Sequence, residues 1–242
     1  MIIQSVQNDR VKQWVKLHQK RGRDEAQQFL IEGEHLIQEA LKENCVDCLL
    51  IEEGCASPFD FKETIECSKN VLDKISQNVS GSKYIAVCHF IKAEPIETKR
   101  VIVLDGIQDP GNLGTIIRTA YSFNFDCVYC SMDCVDLYND KTIRSTQGAF
   151  FHIPVIRKDI IACCDDLKKD EFKIFGTSLD NAIPFSDAEL FDRVALVFGN
   201  EGQGISSSVL AKTDKNFKIE INEFDSLNVA IAAGICMYRY RK

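Results

Sequence analysis

The stretch Val101-Ile-Val-Leu-Asp-Gly-Ile-Gln-Asp-Pro-Gly-Asn-Leu-Gly-Thr-Ile-Ile-Arg118 decides how this chain reads. Its first four residues are apolar without a break, the pattern of a strand covered on both faces. Gly106 and Pro110-Gly111 force turns, and Asn112 stands where an N-cap is expected ahead of an apolar-periodic helix, Leu113–Phe123. Further strands are expected at Cys127–Cys130, Phe172–Gly176 and Val194–Phe198, and a short one at Lys218–Ile221. A final helix is expected over Leu227–Tyr240. Apolar strands alternating with helices define a parallel α/β sheet, and ligands bind such sheets beyond the carboxyl ends of the strands.

Upstream, a second and smaller alternation runs through the helix-like stretch after Glu32-Gly33-Glu34-His35, the strands Cys48–Ile51 and Tyr84–His89, and helical patterning at Lys69–Ile75. The polar, aperiodic stretch Lys92–Arg100 separates the two alternations. The expected organisation is therefore a small α/β domain over 1–92, a linker over 93–99 and a parallel-sheet α/β domain over 100–242. Residues 1–23 carry Arg10, Lys12, Lys16, Lys20, Arg21 and Arg23 against one acid, Asp9, a basic amphipathic opening suited to phosphates.

The whole chain has 242 residues and a net charge of −7, so no global basic field points to a nucleic acid. Contacts to phosphates depend on a local patch rather than on net charge, and the basic opening is a candidate for one. No apolar run of about 18 residues exists, so neither a membrane span nor a signal segment is expected and the chain reads as cytosolic. The 11 cysteines are an odd number spread through apolar runs, which does not describe a secreted disulfide framework. Cys45/Cys48 and Cys127/Cys130, with Cys134 beyond the second pair, have metal-like spacing. Cys127–Cys130 reads as a strand, however, on which i and i+3 point to opposite faces, and reduced cysteine otherwise behaves as a small buried hydrophobe. No metal site is expected.

Three loops at strand ends carry unusual chemistry. In the first, Arg118 follows Gly114 by one helical turn, and arginine suits bidentate phosphate recognition. The second is Phe198-Gly-Asn-Glu-Gly-Gln-Gly-Ile205, whose glycines let backbone approach a ligand; it matches neither a dinucleotide fingerprint nor a P-loop. The third is Asp225-Ser-Leu-Asn-Val-Ala-Ile-Ala-Ala-Gly234, with Ser226 expected as N-cap and Asn228 embedded in an apolar run.

Asp-Pro-Gly-Asn112-Leu-Gly-x-x-x-Arg118, Phe198-Gly-Asn-Glu201-Gly-x-Gly and Ser226-Leu-Asn228-Val resemble, in order and spacing, the three motifs of the SpoU (TrmH-type) branch of the SPOUT methyltransferases. Residues 139–154, including Arg144, Ser145, Gly148 and Pro154, resemble the family's intervening segment. Asn8-Asp-Arg-x-Lys12 and Phe29-Leu-Ile-Glu-Gly33-Glu are similar to the RNA-binding domain of rRNA-modifying members. The resemblance implies methyl transfer from S-adenosylmethionine to a ribose 2′-hydroxyl in structured RNA, ribosomal before transfer RNA. It also implies a homodimer and a C-terminal trefoil knot, which general threading rules do not lead one to expect. By the same resemblance, Arg118, Asn112, Glu201, Ser226 and Asn228 form the reaction site. Thr177, Gly199, Ile219, Ile221 and Leu227 line the donor pocket, and Arg10, Lys12, Arg144 and Ser145 contact RNA. The sequence departs from the family pattern at Ile219-Glu-Ile221, where Ile-Pro-Met is common, at Ala230, and at Asn222-Glu-Phe-Asp225. A catalytically silent RNA-binding module and a base-nitrogen methyltransferase are the alternative readings.

Overall fold

Strand formation follows burial. Val101 to Leu104 and Val194 to Phe198 are all at most 2% exposed, and their alternating side chains fill both faces of one sheet. The computed structural model describes residues 2–93, 97–178, 182–222 and 226–241. Residues 94–96 of the expected linker and residues 223–225, with Asp225 of the third loop, lie outside the described residues.

In chain order the strands are β1 (Ile2–Ile3), β2 (Gln28–Glu32), β3 (Val46–Glu52), β4 (Thr64–Cys67), β5 (Tyr84–His89), β6 (Arg100–Asp105), β7 (Cys127–Cys130), β8 (Val155–Arg157), β9 (Lys173–Thr177), β10 (Ala182–Pro184), β11 (Val194–Gly199) and β12 (Lys215–Lys218). The helices are α1 (Asp9–Lys16), α2 (Lys20–Ala26), α3 (Glu34–Lys42), α4 (Lys69–Ile75), α5 (Pro110–Ser122), α6 (Asp140–Thr146), α7 (Ile160–Lys169), α8 (Ser207–Leu210) and α9 (Val229–Tyr240).

The chain divides into two units, residues 1–92 with 136–151, and residues 93–135 with 152–242. The first holds a mixed sheet in the order β1-β4-β3-β5-β2, with β5 antiparallel to β3 and β2. Val11, Trp14 and Leu17 of the basic opening pack into its core with Val71, Leu72 and Ile75 of α4. Residues 136–151 belong to this unit, whereas the linear reading assigned them to 100–242. The reason is aromatic and ionic: Tyr138 stacks on Phe90 at 3.8 Å, Phe150 meets Phe29 edge-on at 6.1 Å, and Asp136 pairs with buried Arg23 at 2.5 Å.

The second unit holds a sheet of order β10-β12-β9-β11-β6-β7-β8 in which every neighbouring pair is parallel. Val101, Val103, Ala195 and Val197 pack with Cys163, Cys164 and Leu167 of α7. Helices α5 and α9 pack on each other, and α9 lies against β11. Four local expectations change. Asp109, not Asn112, caps α5, accepting the Asn112 amide at 2.8 Å, because Pro110 takes the first helical position. Asn228, not Ser226, caps α9, its Oδ1 accepting the amides of Ala230 and Ile231 at 2.9 and 3.3 Å. That bond explains an asparagine inside an apolar run. The short strand is Lys215–Lys218 rather than Lys218–Ile221, since pairing to β9 stops at Phe217. The helix expected to begin at Leu227 starts at Val229.

Candidate active site

The carboxyl ends of β9, β11 and β12 open onto a cavity of about 580 Å³ in the second unit. That volume falls within the range of about 300–1,000 Å³ usual for small-molecule sites. Thr177, Gly199, Ile219, Ile221 and Leu227 line it, together with Glu201, Ser226 and Asn228. Ile205 and Ala232, from the second and third loops, also line it, as do Leu210 and Phe217, which sequence reading did not single out.

Loop chemistry forms the rim. Asn200 folds the segment after β11 by accepting the amides of Gly202 and Gln203 at 2.9 and 3.0 Å, and donates from Nδ2 to the Gly106 carbonyl at 2.8 Å. Side-chain bonding of this kind is a common reason for asparagine in turns. Gly199 is required by space, since a Cβ there would stand 2.1 Å from the Gly204 backbone.

Glu201 ties the second loop to the first. Its Oε2 accepts the Gln108 amide at 3.1 Å, and its Oε1 accepts the Asp109 amide at 3.1 Å and Asn112 Nδ2 at 3.0 Å. Asn112 Oδ1 in turn accepts Asn228 Nδ2 at 3.0 Å, bringing in the third loop. One chain of hydrogen bonds thus joins Glu201, Asn112 and Asn228. Desolvation pushes the Glu201 carboxyl up, but bonds from Asn112 and from backbone amides including those of Asp109 and Gln108 outweigh it and hold the group below its ordinary value.

A turn behind the first loop braces it. Ser131 Oγ accepts the Gly106 amide at 2.9 Å and donates to Asp133 at 2.6 Å, while Arg157 donates to the carbonyls of Met132, Cys134 and Val135. The Cys134 thiol is drawn down to about 6, chiefly by the Cys130 thiol donating to it, against desolvation and with help from Ser131. Both sulfurs are buried. Among the described residues, no group of three or more His, Cys, Asp or Glu side chains is arranged to hold a metal ion. Nor is any helix long and apolar enough to cross a membrane.

Arg118 does not line the cavity. It lies exposed on α5, and among the described residues its side chain makes no ion pair or hydrogen bond. Arg10, Lys12, Arg144 and Ser145 all belong to the first unit. Arg10 is exposed with its guanidinium 5.1 Å from the Trp14 ring centre, and Lys12 pairs loosely with Asp9 at 3.4 Å. Arg144 pairs with Asp140 at 2.8 Å and donates to Asn78, and Ser145 donates to the Lys141 carbonyl at 2.8 Å.

A parallel sheet with a glycine-rimmed cavity at its carboxyl edge, built from three loops tied together through Glu201 and two asparagines, defines a small-molecule-binding domain of the α/β class. Residues 99–238 match the SpoU rRNA Methylase family, and residues 8–86 match the MRM3-like substrate binding domain. The chain belongs to the SpoU rRNA methylase family. It is an RNA ribose 2′-O-methyltransferase whose methyl donor is S-adenosylmethionine.

The chain is 39% identical to the 23S rRNA (guanosine(2553)-2′-O)-methyltransferase RlmP of Bacillus subtilis, across 99% of this chain and 98% of the relative. It is also similar to a crystallised RNA 2′-O ribose methyltransferase, with a TM-score of 0.83 and 27% identity over 98% of this chain and 97% of the other. The AdoMet-bound rRNA methyltransferase of Sinorhizobium meliloti gives a TM-score of 0.85 at 25% identity, over 98% and 96% of the two chains. The cavity suits such a donor: backbone amides and carbonyls at Gly199 and its neighbours border apolar walls from Ile219, Ile221 and Leu227.

Proposed function

We propose that this enzyme methylates a nucleotide of 23S ribosomal RNA, in the cytosol, with the first unit gripping the RNA through Arg10, Lys12, Arg144 and Ser145. The observation that carries the reading is the Glu201–Asn112–Asn228 chain at the cavity rim, because it fixes three separate loops around one reaction volume. S-adenosylmethionine, when bound, supplies an electrophilic methyl carbon. The residues of this chain then have to hold the acceptor in line and ease the loss of its proton.

Arg118 fits the second task. Its guanidinium, a planar fork of donors, steadies the alkoxide that develops as the 2′-hydroxyl gives its proton to solvent water and clamps the neighbouring phosphate, while the new O–CH3 bond forms as the S–CH3 bond of the donor breaks. Glu201 accepts three hydrogen bonds and is held ionised, which makes it a poor proton acceptor and a good anchor for Asn112. Ser226 and Asn228 face the cavity and orient the ribose.

A second copy of the chain completes the site in this reading. Tyr121 of α5 and Ile231, Ile235 and Tyr238 of α9 are 45%, 57%, 39% and 56% exposed, an apolar face on the helices nearest the rim. A homodimer formed there covers that face and delivers Arg118 to the partner's cavity. A trefoil knot is part of the same reading, supported by residues 199–205 and 226–229 lining one cavity although they lie on either side of β12 in the sequence. The decisive experiment is nucleotide-resolution mapping of 2′-O-methylation in total RNA from cells with and without the protein. One 23S position should lose its mark. A lost mark in transfer RNA, with ribosomal RNA unchanged, would refute the proposed substrate.

A further inference from the structure

Glu220 stands between two cavity-lining isoleucines, Ile219 and Ile221, yet does not line the cavity itself. Its carboxylate faces the turn Phe185–Asp187 that follows the edge strand β10. Glu220 Oε2 accepts the Phe185 amide and Oε1 the Ser186 amide, each at 3.2 Å, and the Ser186 hydroxyl also donates to Oε1. At the other end of the same turn, Arg239 of α9 donates to the carbonyls of Ser186 and Ala188, and the Tyr240 hydroxyl donates to the Glu189 carbonyl at 2.7 Å. An anion at the amide end and a cation at the carbonyl end both suit the polarity of a helical turn. The turn also touches the cavity wall, since the Phe185 ring lies 5.7 Å from that of Phe217, which lines the cavity.

We infer that Glu220 is a positioning residue for the methyl donor, acting through the Phe185–Asp187 turn to hold Ile219, Ile221 and Phe217 in place as one wall of the donor site. The inference rests on the reading of the cavity as that site. Glu220 thereby does with hydrogen bonds what a rigid backbone would otherwise do at a position flanked by two wall residues. Removing the carboxylate frees the strip to move without disturbing Glu201, Asn112 or Arg118.

The test is calorimetric titration of S-adenosylhomocysteine into the full-length wild type and into Glu220→Ala, Glu220→Gln and Leu227→Asp, with steady-state kinetics and thermal melting of each. Glu220→Ala should bind about fivefold more weakly, the loss of one or two net hydrogen bonds spread over the wall. Its KM for the donor should rise by the same factor, with kcat at saturating donor kept and a melting temperature close to that of the wild type. Glu220→Gln, which keeps one acceptor oxygen, should fall between. Wild-type affinity in Glu220→Ala, while Leu227→Asp loses binding, would overturn the role of Glu220 and leave the donor site standing. A fall in kcat and melting temperature together, with KM unchanged, would also overturn it. Failure of the wild type to bind the ligand would overturn the cavity assignment along with it.

Discussion

Glu201→Gln isolates the anchor on which the three loops depend. In the wild type one oxygen serves the Gln108 amide and the other serves both the Asp109 amide and Asn112 Nδ2. A glutamine amide offers one acceptor oxygen. Turned toward Asp109 and Asn112, it leaves its own NH2 facing the Gln108 N–H, donor against donor. One charge-assisted bond is lost and two become neutral, which for buried groups amounts to about 1.5–3 kcal/mol. Glu201 lies on an exposed loop, so solvent competes for the same donors and about 1 kcal/mol is the expected net loss.

The pH dependence separates this cause from simple repacking. Because the folded carboxyl titrates below its ordinary value, its stabilisation is fully present above that value and is lost as the pH falls through the lowered folded pKa. Urea unfolding followed by circular dichroism should therefore show the wild type ahead of Glu201→Gln by about 1 kcal/mol at pH 7. The gap should close at acid pH, below the range where free glutamate titrates. Turnover should drop about tenfold or more, because Asn112 and through it Asn228 lose a fixed partner. A gap that stays constant from neutral to acid pH would refute the anchoring role.

Arg118→Ala should lower kcat by about a hundredfold or more while leaving S-adenosylhomocysteine affinity near the wild-type value, as calorimetry would show. If Arg118 acts across a dimer, mixing Arg118→Ala with Leu227→Asp should restore about a quarter of wild-type activity. Random pairing makes half the dimers mixed, each with one intact site; no recovery on mixing would exclude action in trans. In the first unit, Arg23→Ala removes the partner of Asp136 and strands the Leu17 and His18 carbonyls, which should cost about 3 kcal/mol. Trp14, the single tryptophan, reports that loss through the urea midpoint of its fluorescence.

Much of the fold was legible because its strands are covered on both faces. Val101–Leu104, Cys127–Cys130 and Val194–Phe198 need no alternation to be recognised, and Gly106 and Gly199 mark the ends of the first and last. Helix α4 was legible from its period alone, matching Lys69–Ile75 end to end. What escaped included β2 and the ten-residue helix α7 as well as the shortest strands. Strands of two to four residues such as β1, β4, β8 and β10 exist because a neighbouring edge is available, and no local pattern reports that. The assignment of residues 136–151 to the first unit turns on Asp136 meeting Arg23 and Tyr138 meeting Phe90, partners 113 and 48 positions away along the chain.

The same division explains the candidate site. Residue types marked Asn112, Glu201 and Asn228 as unusual in their loops, yet their individual tasks emerge only from their bonds. Asn228 spends its carbonyl oxygen on the first amides of α9, and its NH2 is thereby aimed at Asn112. Asn112 repeats the division, accepting from Asn228 and donating to Glu201. An aspartate in either place could accept but not pass the bond on, and a serine would not span the distance. Asparagine is the side chain that caps or accepts at one end and donates at the other, so its presence in both loops is a consequence of needing one link between three separate loops.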